Sequence, residues 1–210
     1  AVGNQAMEAN TTGNINVAVG DESLADNTTG AANIAIGYRA LYVNTTTNNN
    51  IAIGAEAMDA NTAGSECVAI GRSALGANTT GANQTAIGYA ALSTNTTGAN
   101  NTAIGFEALE KTTTGSSNIA VGFRALEENT TASNNVAIGY EALTANTTGT
   151  RNVAVGHEAL EDATTANDNT AVGYVAMANV TTGASNVAVG AYALDANTSA
   201  GSNTAVGTSA

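Results

Sequence analysis

Several residue types that most globular proteins use are scarce or missing in this 210-residue chain. Proline and tryptophan are absent, cysteine and histidine occur once each, and aromatic residues make up only 4% of the chain. A single cysteine excludes a disulfide framework and any metal site built on paired cysteines. No uninterrupted apolar run exceeds five residues, so the sequence predicts no membrane-spanning helix.

Basic residues are also few. Five Lys and Arg residues stand against 17 Asp and Glu residues, which gives a formal net charge of −12. A chain this acidic presents no basic surface to the phosphates of DNA or RNA. We therefore expect no nucleic-acid partner.

One motif, Ala-(Val/Ile)-Gly, recurs at a fixed spacing of 17 residues. Its glycine stands at Gly3 and at every seventeenth residue through to Gly207, which makes twelve units without an insertion. We number the columns of the repeat from this glycine, as Gly-x-x-Ala-Leu-x-x-Asn-Thr-Thr-Gly-x-x-Asn-(Val/Ile/Thr)-Ala-(Val/Ile). Both ends of the chain fall inside the pattern. We expect residues 1–210 to form one uncapped solenoid of about 12 coils from a longer array.

A unit of 17 residues is too short for a pair of helices or a propeller blade, but it fits one coil of a β-solenoid. Each column then stacks on itself at the spacing of neighbouring strands, about 4.8 Å. The segment that ends in the glycine, such as Asn33–Gly37, is the predicted strand. The sequence therefore predicts an all-β fold, a parallel β-solenoid of 17-residue coils.

Column 16 is alanine in every unit, and it suggests how coils assemble. Columns 15 and 17 are mostly Val or Ile, so we expect them to point into the coil beside the Leu or Met of column 5. Column 16 would then face outward, where a strand position ordinarily varies. We expect a partner chain, or a second layer of the same coil, to pack on it. The candidate assembly face consists of Ala18, Ala35, Ala52, Ala69, Ala86, Ala103, Ala120, Ala137 and Ala154.

The strings Asn-Val-Ala-Ile-Gly-Tyr-Glu-Ala, from Asn135, and Asn-Val-Ala-Val-Gly-His-Glu-Ala, from Asn152, resemble a known repeat. They are similar to the head repeats of YadA-type trimeric autotransporter adhesins, which carry a Val-Ala-Ile-Gly-x-x-Ala motif. The resemblance recurs in every unit. It implies a left-handed parallel β-roll, three copies of which pack around a common axis into a homotrimeric rod. The period here is longer than the family's usual fourteen residues and carries an added Asn-Thr-Thr-Gly segment.

The Asn-Thr-Thr-Gly segment predicts an exposed turn that offers acceptors for glycans. Column 9 is threonine in all twelve units, which has two explanations: a hydroxyl hydrogen-bonded within the stack, or a glycan on threonine. The second explanation makes a covalent glycan a partner of the chain. The candidate glycosylation residues are Asn10, Asn27, Asn44, Asn78, Asn95, Asn129, Asn146, Asn179 and Asn197, together with Thr11, Thr28, Thr45, Thr79, Thr96, Thr113, Thr130 and Thr147.

No group of side chains predicts catalysis or metal binding. More than five coils separate Cys67, which replaces an asparagine of column 14, from His157 in column 2, so the two cannot form a nucleophile–base pair. Acidic residues gather in columns 6 and 7, but neutral residues interrupt them and the nonapeptide of calcium β-rolls is absent. Column 3 instead pairs opposite charges, such as Glu107 with Arg124. We expect no enzyme, no cofactor and no metal.

These features predict a structural or adhesive fibre segment at the cell surface that associates with itself, as a trimer if the resemblance holds. The shaft of a phage tail fibre is the alternative, since it needs the same physical properties. An ice-binding solenoid is a third hypothesis, because threonine fills column 9. Side chains of the adjacent columns 9 and 10 would diverge, however, and would not form one flat face.

Overall fold

The computed structural model describes residues 1–210 and is an all-β parallel β-solenoid of about 11 turns, without a helix. The predicted all-β parallel β-solenoid is confirmed. The chain divides into two compact units, Ala1–Ile104 and Gly105–Ala210. The first contains β1 (Val17–Val19), β2 (Ile34–Ile36), β3 (Ile51–Ile53), β4 (Val68–Ile70), β5 (Thr85–Ile87) and β6 (Thr102–Ile104). The second contains β7 (Ile119–Val121), β8 (Val136–Ile138), β9 (Val153–Val155), β10 (Thr170–Val172), β11 (Val187–Val189) and β12 (Thr204–Val206).

Within each unit, consecutive strands pair in parallel with a register shift of one repeat, so that each column lies beside itself. In the first unit Ala18 pairs with Ala35, and in the second Ala137 pairs with Ala154. Each strand has only three residues because the glycine of column 1 follows it with φ between +133° and +144°. A Cβ at Gly139 would overlap the carbonyl oxygen of Gly156, so only glycine fits this corner. No helix long and apolar enough to cross a membrane is present.

Three further columns take the left-handed backbone conformation without being glycine, which the sequence analysis missed. Columns 3, 5 and 13 have φ near +55°, as at Arg124 (52°), Leu126 (55°) and Asn134 (63°). Such residues are uncommon, because the Cβ approaches the following carbonyl oxygen. Asparagine in four of the twelve coils at column 13 was the available signal, since asparagine tolerates this conformation better than most residues.

The interior of each coil is formed by the Leu or Met of column 5 and the alanines of columns 4 and 16. Leu126, Ala125 and Ala137 are all fully buried. The prediction that columns 15 and 17 point inward is therefore wrong: the strand residues that flank the alanine face outward. The coil is so thin that a methyl group fills the space between the sheet and the leucine column.

The assignment of the column 16 alanines as an assembly face is also wrong. They are 0–1% exposed in the single chain, so no surface of them is left for another copy. Of the two occupants considered, the chain's own coil is the one that covers them. The residues concerned are Ala18, Ala35, Ala52, Ala69, Ala86, Ala103, Ala120, Ala137 and Ala154.

Buried asparagines complete the interior and hold neighbouring coils together. In column 14, Nδ2 of Asn152 donates a 2.7 Å hydrogen bond to the carbonyl of Ala166 in the next coil. In column 8, Nδ2 of Asn146 donates to the carbonyl of Gly149 at 3.0 Å and to Oδ1 of Asn129 at 3.1 Å. The two asparagine columns therefore satisfy backbone carbonyls that the three-residue strands leave unpaired.

Candidate assembly surface

The outward side chains of columns 15 and 17 form a regular apolar surface, which we call the valine–isoleucine face. In the second unit Ile119 and Ile138 are 41% and 40% exposed, and in the first Val17 is 44% exposed. The face of the second unit consists of Ile119, Val121, Val136, Ile138, Val153, Val155, Thr170, Val172, Val187, Val189, Thr204 and Val206. That of the first consists of Val17, Val19, Ile34, Ile36, Ile51, Ile53, Val68, Ile70, Thr85, Ile87, Thr102 and Ile104.

The valine–isoleucine face carries no charged residue, although the chain has a net charge of −12. Six strands at about 4.8 Å spacing, with two columns about 7 Å apart, give each unit a strip of roughly 200 Å². A contiguous apolar strip bordered by polar residues is typical of an interaction site. The face is therefore the strongest candidate for a docking surface on each unit.

A signal for this orientation was present in the sequence. Column 15 is threonine in four coils, at Thr85, Thr102, Thr170 and Thr204. A hydroxyl replaces a methyl group freely only where water or a polar neighbour is available. Column 16 never varies, as expected of a position enclosed by its own backbone. The variation, rather than the hydrophobicity, distinguished the outer columns from the inner one.

A ladder of stacked rings lies beside this face in the second unit. Ring centroids of consecutive residues are 5.4, 5.1, 4.9 and 5.2 Å apart along the series Phe106, Phe123, Tyr140, His157 and Tyr174. The first three stacked pairs are within 13° of parallel. We call these five residues the aromatic ladder. Because column 2 follows column 17 after one glycine, the ladder extends the apolar surface past the corner of the coil.

Carboxylates flank the aromatic ladder. Arg124 binds Glu107 at 2.8 Å and Glu127 at 3.5 Å, so the column 3 pairing with Glu107 is present. Arg39 likewise approaches Glu22 at 3.5 Å in the first unit. These partly exposed pairs contribute little stability individually but favour the observed register.

Two groups of three glutamates bring carboxylate oxygens within 4.8 Å of one another. They are Glu107, Glu110 and Glu127, and Glu141, Glu158 and Glu161. Partial burial raises the pKa of Glu161, and the neighbouring Glu158 and Asp162 raise it further. Burial likewise raises the pKa of Glu127, although Arg124 acts in the opposite direction. Both groups could accept a cation, but Arg124 already neutralises part of the first.

Most of the candidate asparagine glycosylation sites are wrong. Six of these candidates, all in column 8, are completely buried, where they hydrogen-bond inside the coil and are inaccessible to a glycosyltransferase: Asn27, Asn44, Asn78, Asn95, Asn129 and Asn146. Asn10 and Asn197 are partly exposed, but each donates a hydrogen bond of 3.0 Å to a carbonyl three residues ahead. Asn179 is exposed in column 7 and donates to the carbonyl of Asp195 at 2.7 Å.

The invariant threonine of column 9 donates its hydroxyl proton to the backbone of the next coil. Oγ1 of Thr11 bonds the carbonyl of Thr28 at 2.9 Å, and Oγ1 of Thr130 bonds that of Thr147 at 3.1 Å. Equivalent bonds start from Thr28, Thr62, Thr79, Thr113, Thr147, Thr164 and Thr181. A glycan on Oγ1 would remove the donated proton. The hydrogen-bonded stack therefore explains the invariance, and in these nine coils the hydroxyl proton is already donated within the chain.

Cys67 takes the place of an asparagine in the column 14 ladder, as the sequence indicated. It is completely buried, and its backbone N–H donates to Oδ1 of Asn50 at 3.1 Å. Burial raises the pKa of the Cys67 thiol to about 11. A thiol of this pKa is a poor nucleophile at neutral pH, because the thiolate is the reactive form.

No family model, curated protein or solved structure matches the chain. The fold and surface described above are those of a tandem-repeat β-solenoid with one apolar, uncharged face in each unit.

Proposed function

We propose that the chain is a segment of a structural or adhesive extracellular fibre that associates with itself through the valine–isoleucine face. The observation that carries the proposal is the position of this face. It contains the largest aliphatic residues outside the leucine column, it is about 40% exposed at Ile119 and Ile138, and it bears no charge. Burying β-branched side chains between copies is the most direct way to remove this surface from water.

A second copy of the chain fits the face better than an unrelated partner. Two identical chains have the same 17-residue period, so every outward residue meets an equivalent residue at the same level along the stack. The acidic residues occupy other columns, including columns 3, 6, 7 and 13. Association through the valine–isoleucine face therefore keeps these charges apart, whereas contact through the acidic columns would bring like charges together.

The resemblance of the strand motif to YadA-type head repeats supports three copies around one axis and left-handed coils. In that arrangement the valine–isoleucine faces point toward the common axis. The acidic columns and the threonine column lie outside, where a fibre contacts water and surfaces to which it adheres.

Sedimentation velocity on the full chain tests self-association. We expect a species of three times 20.6 kDa that persists on dilution. The double variant Ile138→Asp, Val155→Asp places two charges on the face and should yield a monomer with unchanged circular dichroism. The control Thr131→Asp, Thr148→Asp adds the same charge in the exposed column 10 and should remain associated.

A folded wild-type chain that stays monomeric at high concentration would overturn the proposed association. A dimer would retain the face but refute the three-fold stoichiometry. Electron microscopy with a gold-labelled antibody tests the setting of the fibre: labelled rods on cell surfaces support it, and labelled rods on virus particles favour the tail-fibre shaft instead.

A further inference from the structure

We propose that Tyr174 and Tyr192 form an oxidative cross-linking site at which a one-electron oxidant joins two adjacent coils through dityrosine. The two ring centroids are 5.4 Å apart, and the rings are 47% and 41% exposed. This inference is independent of the proposed function, because it concerns a bond within one chain.

The geometry of the pair follows from a one-residue displacement in the repeat. Tyr174 belongs to column 2, like the rest of the aromatic ladder, whereas column 2 of the next coil is Ala191. Tyr192 lies one residue later, in column 3, with a left-handed backbone of φ 56°. Its ring therefore approaches Tyr174 from a different position and stands at 75° to it, instead of continuing the parallel stack.

Electrostatics also couples the two phenols. The Tyr192 phenol raises the pKa of Tyr174, chiefly through its charge when ionised. The two rings lie on the same side of the coil, with centroids 5.4 Å apart. Because both residues are exposed, each ring can rotate about its side-chain bonds to bring the carbons ortho to the hydroxyl groups together.

The reaction balances with hydrogen peroxide as the oxidant and a haem peroxidase as the carrier of oxidising equivalents. Each phenol gives up one electron and one proton and becomes a neutral radical with unpaired density on its ortho carbons. The two radicals combine to form a C–C bond between these carbons. Each of these carbons then loses its hydrogen to the phenol oxygen, which restores both aromatic rings. The two hydrogen atoms removed in total end in two molecules of water per peroxide.

Proximity selects this pair over other tyrosines. A radical on Tyr174 meets the Tyr192 ring at an effective concentration far above that of a second chain in dilute solution. Tyr140 is equally exposed, but its stacked neighbours are Phe123 and His157, and neither forms a phenoxyl radical. Tyr140 therefore provides a matched control within the same aromatic ladder.

The test uses the full chain at low micromolar concentration with horseradish peroxidase and limiting hydrogen peroxide. We expect dityrosine fluorescence in a product of single-chain size whose mass is lower by two hydrogen atoms. Proteolysis should yield one cross-linked peptide pair that contains Tyr174 and Tyr192. Tyr174→Phe and Tyr192→Phe should each lower the intrachain yield at least tenfold, whereas Tyr140→Phe should leave it unchanged.

Three results would overturn the proposal. These are an undiminished intrachain yield in either single Phe variant, dityrosine confined to species of two or more chains, and a cross-link that maps to other tyrosines. Circular dichroism of each variant before oxidation shows whether the coils are intact. The double variant Tyr174→Phe, Tyr192→Phe gives the background of the assay.

Discussion

Oδ1 of Asn135 accepts a 2.9 Å hydrogen bond from the backbone N–H of Asn152, exactly one repeat further along the chain. Asn135 also donates through Nδ2 to the carbonyl of Gly149 at 2.8 Å. One buried amide thus satisfies two backbone groups of the next coil. The asparagine column therefore works as a continuous hydrogen-bond strip beside the strands, at a position where the backbone cannot form its own sheet pairing.

Replacing Asn135 by alanine should destabilise the second unit strongly. The change leaves the N–H of Asn152 and the carbonyl of Gly149 buried without a partner, at about 1–3 kcal/mol for each group. We expect a loss of roughly 2–6 kcal/mol in the free energy of unfolding, measured by urea denaturation followed by circular dichroism. The control Thr131→Ala, in the exposed column 10, should change stability by less than about 0.5 kcal/mol. Equal effects of the two substitutions would contradict the structural role given to the asparagine column.

Enlarging an inward alanine should damage the coil itself rather than an interface. Ala137→Leu adds three carbons at a fully buried position between the sheet and the leucine column. Overpacking of this kind costs about 1–3 kcal/mol or more. The neighbouring outward substitution Ile138→Ala should leave the single coil largely intact. Circular dichroism of the folded variants compares the two, and loss of the coil spectrum in Ile138→Ala but not in Ala137→Leu would restore the rejected arrangement with Ile138 inside the coil.

The two errors of orientation show what the sequence could and could not determine. The period and the parallel stacking follow directly from the 17-residue spacing, because any column must lie beside itself. Which strand residues point inward depends on the space inside one coil, and that space cannot be inferred from the residue types of the strand. Hydrophobicity favoured Val136 and Ile138 for the interior, but the left-handed Leu126 already fills it, which leaves room there only for the methyl group of Ala137.

The glycosylation sites failed for a related reason. Asn-x-Thr is a valid acceptor pattern only where the asparagine side chain is accessible, and Asn146 is fully buried. The same asparagine–threonine pair serves the coil in another way: Asn146 bonds inward and Thr147 bonds along the stack to Thr164 at 3.1 Å. The Asn-x-Thr pattern fits both a glycan acceptor and a hydrogen-bonded turn, and only the direction of each side chain distinguishes the two.

Relieving one left-handed residue should stabilise the second unit. Val175 occupies column 3 with φ 55°, where a β-branched side chain is especially strained. Val175→Asn supplies a residue that tolerates this conformation and should add about 1 kcal/mol to the free energy of unfolding. Val172→Asn, at an extended strand position, provides the control and should bring no gain. Denaturant unfolding measures both, and a destabilised Val175→Asn chain would show that the valine makes contacts worth more than its backbone strain.

Mild acid should stabilise the second unit. Burial and neighbouring carboxylates raise the pKa of Glu110 and Glu161, so the folded chain holds these protons to a higher pH than the unfolded chain does. Their stabilising contribution to the free energy of unfolding is therefore fully present below the pKa of the unfolded chain, and it is lost as the pH rises through the pKa of the folded chain. The exposed Asp168, whose pKa Arg151 lowers, acts in the opposite sense and weakly.

We expect a higher melting temperature at pH 4.5 than at pH 7.5 in low salt, and a smaller difference at high salt. Glu161→Gln should raise the melting temperature at pH 7.5 by a few degrees and reduce the dependence on pH. Glu66→Gln, an exposed charge-matched change outside the glutamate groups, serves as the control. A melting temperature that is lower at pH 4.5 than at pH 7.5 would show that the ion pairs contribute more to stability than the repulsion between carboxylates removes.

Because every coil offers the next one the same donors and acceptors, chain length in this fold is a free evolutionary variable. Unequal recombination between two repeats inserts or removes a multiple of 17 residues, and each surviving strand still meets an equivalent strand, as Val136 meets Val153. An insertion of one residue disrupts the fold instead, because it shifts the alanine column out of the interior. Genes for such a chain can therefore vary in length by whole repeats and preserve the valine–isoleucine face throughout.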